Sequence, residues 1–351
     1  MAGLYVHFPF CAAKCIYCDF YSRVRKDWKP YVEALLREIR ERSEERKGVH
    51  PTTLYFGGGT PSLLPANQLA RVAEEVTTGH LFEEFTLEVN PDDVTADKAA
   101  AWREMGANRI SMGVQSFNDN HLRWMRRRHT AAGAVAAFGR LRAAGFANLS
   151  LDLIFGFTGL TDEDWLQSIA QALALQPEHI SCYQMMGRWA DPDEDRCRQQ
   201  YTLLQERLEA AGIRQYEVSN YARPGFESRH NSAYWTRAPY LGFGAGAHSF
   251  DGDRRRSWNQ PDIDAYVASR PGGSETLTDR EILEEKLMLS LRTVQGLSLA
   301  SLSPAERATL NQTTLEELSR AGKLIVEEGR IRIPAAELFV SDAVIRRLFP
   351  D

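Results

Sequence analysis

Cys11-Ala12-Ala13-Lys14-Cys15-Ile16-Tyr17-Cys18 sets three thiols within eight residues, close behind the apolar run Leu4 to Phe8. On a loop, this C-x3-C-x2-C spacing lets three thiolates face one site. Thiolates are the usual ligands of iron–sulfur clusters, and a [4Fe-4S] cube held by only three of them keeps one iron open to a ligand from outside the chain. A tetrahedral zinc site is the alternative; it needs a fourth ligand, and His7 lies near enough in sequence to supply one. In a cytosolic protein, thiols crowded in this way read as metal ligation rather than as a disulfide framework. The chain has five cysteines; Cys182 and Cys197 fit no ligand spacing and are expected to be small buried hydrophobes.

Working outward, the run before the cysteines is the first of six short β-branched or aromatic segments. The others are Thr53 to Phe56, Phe85 to Val89, Arg109 to Val114, Leu149 to Phe155 and His179 to Tyr183. Helical spacing fills the gaps, as in Tyr31, Val32, Leu35, Leu36 and Ile39. Alternating βα units predict an α/β fold with a parallel sheet, here a partial (β/α)6 TIM-like barrel, incomplete beside the eight-stranded form. Chemistry in such sheets collects at the carboxyl ends of the strands. After residue 205 the pattern changes: a strand from Gln215 to Ser219, then a Gly- and aromatic-rich connector. We read 1–205 as the core barrel, 206–275 as a connecting segment, and 276–351 as a small helical, winged-helix-like domain with a strand pair around Leu324 to Ile333.

At 351 residues the chain is long enough for this division. Its 43% hydrophobic and 25% charged residues are those of an ordinary globular protein. A net charge of -5 argues against nucleic acid as the main partner. No signal-peptide pattern is present, so the expected compartment is the cytoplasm. No apolar run is long enough to span a membrane, which leaves peripheral association with a membrane surface open.

The cysteine motif, with Tyr17 before its last Cys, resembles that of the radical S-adenosylmethionine (SAM) superfamily, in which the open iron is chelated by SAM. The glycine run Gly57-Gly58-Gly59-Thr60-Pro61 falls where that family has one, and glycines let backbone N–H groups approach a charged ligand. The resemblance narrows to the coproporphyrinogen oxidase-like branch, which holds the oxygen-independent oxidase HemN and the haem chaperone HemW. It rests on Tyr5-Val6-His7-Phe8-Pro9-Phe10-Cys11 and covers nearly the whole chain. It implies a [4Fe-4S] cluster on Cys11, Cys15 and Cys18. It also implies SAM contacts from Tyr5, Tyr17, Gly58, Gly59, Thr60, Glu88, Gln115, Arg127 and Asp152. Read without the family, Glu88 and Asp152 are buried strand acids with structural partners, and Arg127 belongs to a basic run on a solvated helix face.

Within the branch, HemN carries a fourth cysteine two residues after the motif, where this chain has Phe20, and a longer N-terminal extension. The stretch His230-Asn231-Ser232-Ala233-Tyr234-Trp235 matches the H-N-x-x-Y-W motif associated with haem in HemW. His230 is thus a candidate haem ligand and His248 a lower one, against the plain reading of a hydrogen-bonded structural histidine. The resemblance implies a haem chaperone that passes haem to an acceptor protein not identified by the sequence. The competing reading is a radical SAM enzyme acting on a porphyrinogen. Two departures stand out: the segment after Tyr183, where the family has a SAM contact and this chain has Met186, is short, and Gly156-Phe157-Thr158-Gly159 replaces a usual Gly-Leu-Pro-Gly.

Overall fold

The computed structural model describes residues 2–25 and 27–350. Six strands run parallel in chain order: β1 (Gly3–Phe8), β2 (Thr53–Gly58), β3 (Glu84–Val89), β4 (Arg109–Gln115), β5 (Leu149–Phe155) and β6 (His179–Gln184). Helices Trp28–Glu41, Ala66–Thr77, Ala96–Glu104, Ala131–Ala143 and Asp162–Ala174 return the chain between them. The six expected strands therefore form, each within two residues of its reading.

Parallel strands covered on both faces usually read as unbroken apolar runs. These strands alternate instead. Leu4, Val6 and Phe8 of β1, Leu54 and Phe56 of β2, Phe85 and Leu87 of β3, and Ile110 and Met112 of β4 are buried against the helices. The register sets Tyr5 beside Tyr55 and Thr86, Glu88 beside Ser111, and Gly113 beside Asp152 and Ser181. One face of the curved sheet is oil and the other is polar. Period-two alternation in a parallel sheet thus marks an interior built to hold something polar.

The sheet extends beyond the six strands on both sides. After β6 come β7 (Arg214–Gln215) and β8 (Asn220–Ala222), antiparallel, with β8 against β6. Before β1 lies β9 (Tyr240–Phe243), parallel to it, followed by antiparallel β10 (His248–Phe250), β11 (Arg255–Trp258) and β12 (Gly273–Thr276). Twelve strands result, with β12 and β7 as free edges. The segment read as a connector is part of the sheet, and the division at 205 falls inside the helix Glu194–Ala210. The single strand expected from Gln215 to Ser219 is instead a bend between β7 and β8. The Glu217 carboxylate turns the chain there by accepting from the Ser219 N–H and the Asn220 amide.

The C-terminal part packs helices Asp279–Ser290, Gln312–Arg320 and Ser341–Arg346 with β13 (Leu297–Ser298), β14 (Ile325–Glu327) and β15 (Arg330–Arg332), in the order β13-β15-β14. It docks on the bend at Glu217 through Val218 N–H to Arg292 O and Val294 N–H to Tyr216 O. No helix among the described residues is long and apolar enough to cross a membrane.

Candidate functional site

The cysteine loop leaves the end of β1 and is pinned where it returns. Cys11 N–H donates to Arg23 O (3.0 Å) and Arg23 N–H to Pro9 O (2.8 Å). Within it, Lys14 Nζ donates to Phe20 O (2.8 Å) and Ser22 Oγ (3.2 Å). The three thiols are free and half-buried. Two receive donors: Thr60 Oγ1 reaches Cys11 Sγ and Arg127 Nη1 reaches Cys15 Sγ, both at 3.7 Å.

All three cysteines line a cavity of about 570 Å³ at the carboxyl ends of the strands. Tyr17, Gly58, Gly59, Thr60, Glu88, Gln115, Arg127 and Asp152 share its wall. Residues from the loop and from β2, β3, β4 and β5, up to 141 positions apart in sequence, are thereby brought together. Glu88 accepts from Tyr55 OH (2.7 Å) and Gly58 N–H (3.0 Å), and burial pushes its carboxyl up to about 7. Asp152 accepts from Ser111 Oγ (3.1 Å) and is likewise pushed up by burial. Gln115 follows a bulge in β4 and holds φ at 71°, a strained position for a side chain and one that recurs where a side chain must be aimed. Arg127 donates to Gly113 O and Cys15, yet its buried Nε has no partner. Arg127 also lines the cavity, and a guanidinium there suits an anionic ligand group.

The glycine run fits the same purpose. A Cβ on Gly59 would meet Phe10 O at 2.7 Å and Phe8 O at 2.8 Å, both backbone atoms that cannot yield. Gly59→Ala is expected to distort the cysteine loop and cost about 1–3 kcal/mol. Thermal unfolding of the apoprotein checks this, and an unchanged midpoint would show that the loop can give way.

Two expected site residues lie elsewhere. Tyr5 does not line the cavity; its hydroxyl is 2.9 Å from His7 Nδ1, and its ring packs beside Tyr55. His230 sits at the opposite, amino end of the strands and is 2% exposed. Its Nδ1 is 2.9 Å from Thr53 Oγ1 and its Nε2 is 2.9 Å from Tyr234 OH. The ring lies over Tyr55 with centroids 5.1 Å apart, and burial pushes its pKa down to about 3. In this ligand-free conformation both ring nitrogens of His230 are engaged by protein groups. Its helix, Arg229–Trp235, is plugged into the sheet by Glu84, whose carboxylate accepts the N–H groups of Arg229 (2.9 Å) and His230 (3.0 Å).

The Radical SAM superfamily model matches residues 5–172, and the HemN C-terminal domain model matches residues 277–340. A Bacillus subtilis protein named heme chaperone HemW is 35% identical over 322 residues, covering 85% of each chain. One from Mycobacterium tuberculosis with the same name is 34% identical over 377 residues, covering 99% of this chain and 94% of its own. The chain belongs to the HemW family of the radical SAM superfamily. The solved structure of the Escherichia coli coproporphyrinogen III oxidase HemN matches it with a TM-score of 0.83 at 24% identity, over 99% of this chain and 90% of that one. That likeness is one of fold.

For a HemW-family chain the neighbourhood of the cysteines is telling. Phe20, where HemN carries cysteine, is 71% exposed at the cavity mouth, and Met186 across it is 74% exposed. Among the described residues no three His, Cys, Asp or Glu side chains converge as ligands of a single metal ion. A cube takes one thiolate per iron, so its ligands need not meet at one point. His7 faces Tyr5 OH and Tyr21 O (3.0 Å), which occupies the nitrogens that a zinc site would use. Tyr55, Ser111 and Glu84 were not singled out from the sequence. Their place in the period-two alternation of β2, β3 and β4 is the signal that could have found them.

Proposed function

We propose that this protein is a haem chaperone: it binds haem and passes it to an acceptor protein, and it carries a SAM-liganded [4Fe-4S] cluster on Cys11, Cys15 and Cys18. The observation that carries this reading is the 34–35% identity to proteins named heme chaperone HemW over most of both chains. The residues fit the implied groups. Three free thiols line one wall of the cavity, two of them already holding hydrogen-bond donors, and Arg127 in the same lining supplies a guanidinium suited to an anionic group of SAM.

When bound, the cluster supplies one-electron chemistry and an open iron for a chelating ligand. The chain's own residues orient what is held there. Glu88 and Asp152 offer carboxylates to hydroxyl or ammonium groups, Gly58 and Gly59 let the backbone come close, and Gln115 and Arg127 complete the lining. Tyr17 has its hydroxyl beside Cys15.

The reading separates from that of a porphyrinogen oxidase in an anaerobic assay. The reconstituted protein, given SAM, a one-electron reductant and coproporphyrinogen, is expected to release no decarboxylated product. Conversion over many turnovers would make it an enzyme and overturn the chaperone reading.

A further inference from the structure

One buried charge inside the barrel has no bonded partner. Ile110 and Met112 of β4 turn to the helices, so Arg109, Ser111 and Gly113 share the interior face, and Ser111 and Gly113 line the cysteine cavity. Arg109 lies two residues before Ser111, toward the amino ends of the strands; it is paired in register with Thr86 and is 1% exposed. Its Nε has no partner, and no carboxylate forms an ion pair or hydrogen bond with its guanidinium among the described residues. Buried charges are ordinarily paired, because taking a lone cation out of water is costly. An unpaired cation at this place lowers stability, so its use lies in the field it sets up.

Two acids stand in that field. Glu88, two residues beyond Thr86, is paired in register with Ser111, and Asp152 accepts from Ser111 Oγ. Burial pushes both carboxyls up, and Asp152 adds to the rise at Glu88; the charge of Arg109 opposes the rise in each. The other side chains around Glu88 are Tyr55, Tyr5 and Tyr183, all held neutral by burial. Around Asp152 they are Ser111, Ser181, Cys182, Tyr55, Tyr183 and the cation Arg127, which is bonded to Cys15 and Gly113 O. In a low-dielectric interior a charge acts without contact. A direct ion pair would ionise the two acids as well, but the guanidinium would then occupy lone pairs that a ligand could use.

We propose that Arg109 is a positioning residue of the SAM site, the buried counter-charge that lets Glu88 and Asp152 ionise near neutral pH while leaving their free lone pairs to the ligand. This rests on the reading of the cavity as a SAM site. The groups served are the hydroxyl or ammonium groups of SAM, which a carboxylate holds more strongly than a neutral carboxylic acid does.

The test is an anaerobic calorimetric titration of SAM into the cluster-reconstituted full chain at pH 7 and pH 9, for the wild type, Arg109→Met and Arg109→Gln. Both variants are expected to bind SAM about fivefold more weakly than the wild type at pH 7, the fall in ionised fraction when a carboxyl near 7 moves up by about one unit. At pH 9 Glu88 is ionised in all three proteins, and the gap is expected to close. Cluster content stays unchanged. The unfolding midpoint of Arg109→Met is expected not to fall, because methionine removes an unpaired buried charge. If SAM binds the wild type, a loss of equal size at both pH values in whichever variant folds, or no loss at pH 7, overturns the assignment of Arg109 while the SAM site stands. Failure of both variants to fold overturns it too, by making Arg109 part of the framework. If the wild type binds no SAM, both fall.

Discussion

Serine in place of Cys15 is expected to yield a folded chain that retains almost no iron or sulfide after anaerobic reconstitution and almost no broad visible absorption of a cluster. The reason lies in the coordination count. Three thiolates secure three irons of a cube, and with two the assembly loses the chelate that holds it closed. Serine cannot replace the thiolate, because its hydroxyl stays protonated and is a poor ligand for iron. The loss is specific to the site. Cys15 is half-buried on a loop whose anchors, the Cys11–Arg23 and Arg23–Pro9 backbone bonds, do not involve its side chain. Far-ultraviolet circular dichroism and the unfolding midpoint of the apo form are therefore expected to match the wild type. A variant that keeps its full iron and sulfide would remove Cys15 from the ligand set.

Glu88→Gln is expected to weaken SAM and strengthen the fold together. A carboxylate hydrogen bond to a ligand is worth about 1.5–3 kcal/mol, so affinity should drop about tenfold to a hundredfold, read by calorimetric titration of SAM. Stability moves the other way because burial holds the Glu88 carboxyl near 7, above its ordinary 4.5. The folded chain keeps this proton where the unfolded chain gives it up. The contribution is thus fully present below about pH 4.5, declines as pH rises to about 7, and is lost above that. The gap is worth about 3 kcal/mol at most at pH 8. Glutamine can still accept from Gly58 N–H and donate to Tyr55, and it carries no charge at any pH. The variant should unfold at a higher temperature than the wild type at pH 8 and at a similar one at pH 5. Equal destabilisation at both pH values would make Glu88 a structural hydrogen-bond acceptor alone.

Much of this site is legible in the chain because its parts are local. The cysteine spacing and the glycine run sit at the ends of segments whose hydrophobic pattern is strong, the strand acids sit within such segments, and the cavity gathers them as the barrel geometry requires. What escapes the sequence is non-local. The strands β9 to β12 are three or four residues long and rich in glycine between them, so their pairing is decided by β1 and by each other rather than by propensity. The bend at Glu217 hides in a stretch that alternates like a strand, and it is set by one carboxylate bonded to two later residues and by the docking of the C-terminal part.

His230 shows the same limit. Its motif reads as a cofactor ligand, yet Ser228 caps the helix by accepting from Asn231 N–H, and Glu84, 146 residues earlier, takes the free N–H groups at its start. The ring then completes the floor of the barrel. Tyr55 stacks on His230 and donates its hydroxyl to Glu88, so the floor and the cavity share one side chain. A residue can thus bear on the cofactor cavity without touching it.

The central claim is that the chain carries haem. It is tested most directly by titrating ferric haem into the cluster-reconstituted wild-type protein under nitrogen and following the haem absorption band. The account expects a sharp, saturable change that ends near one haem per chain. A featureless, linear rise with no break would contradict it and leave a radical SAM protein without a cargo.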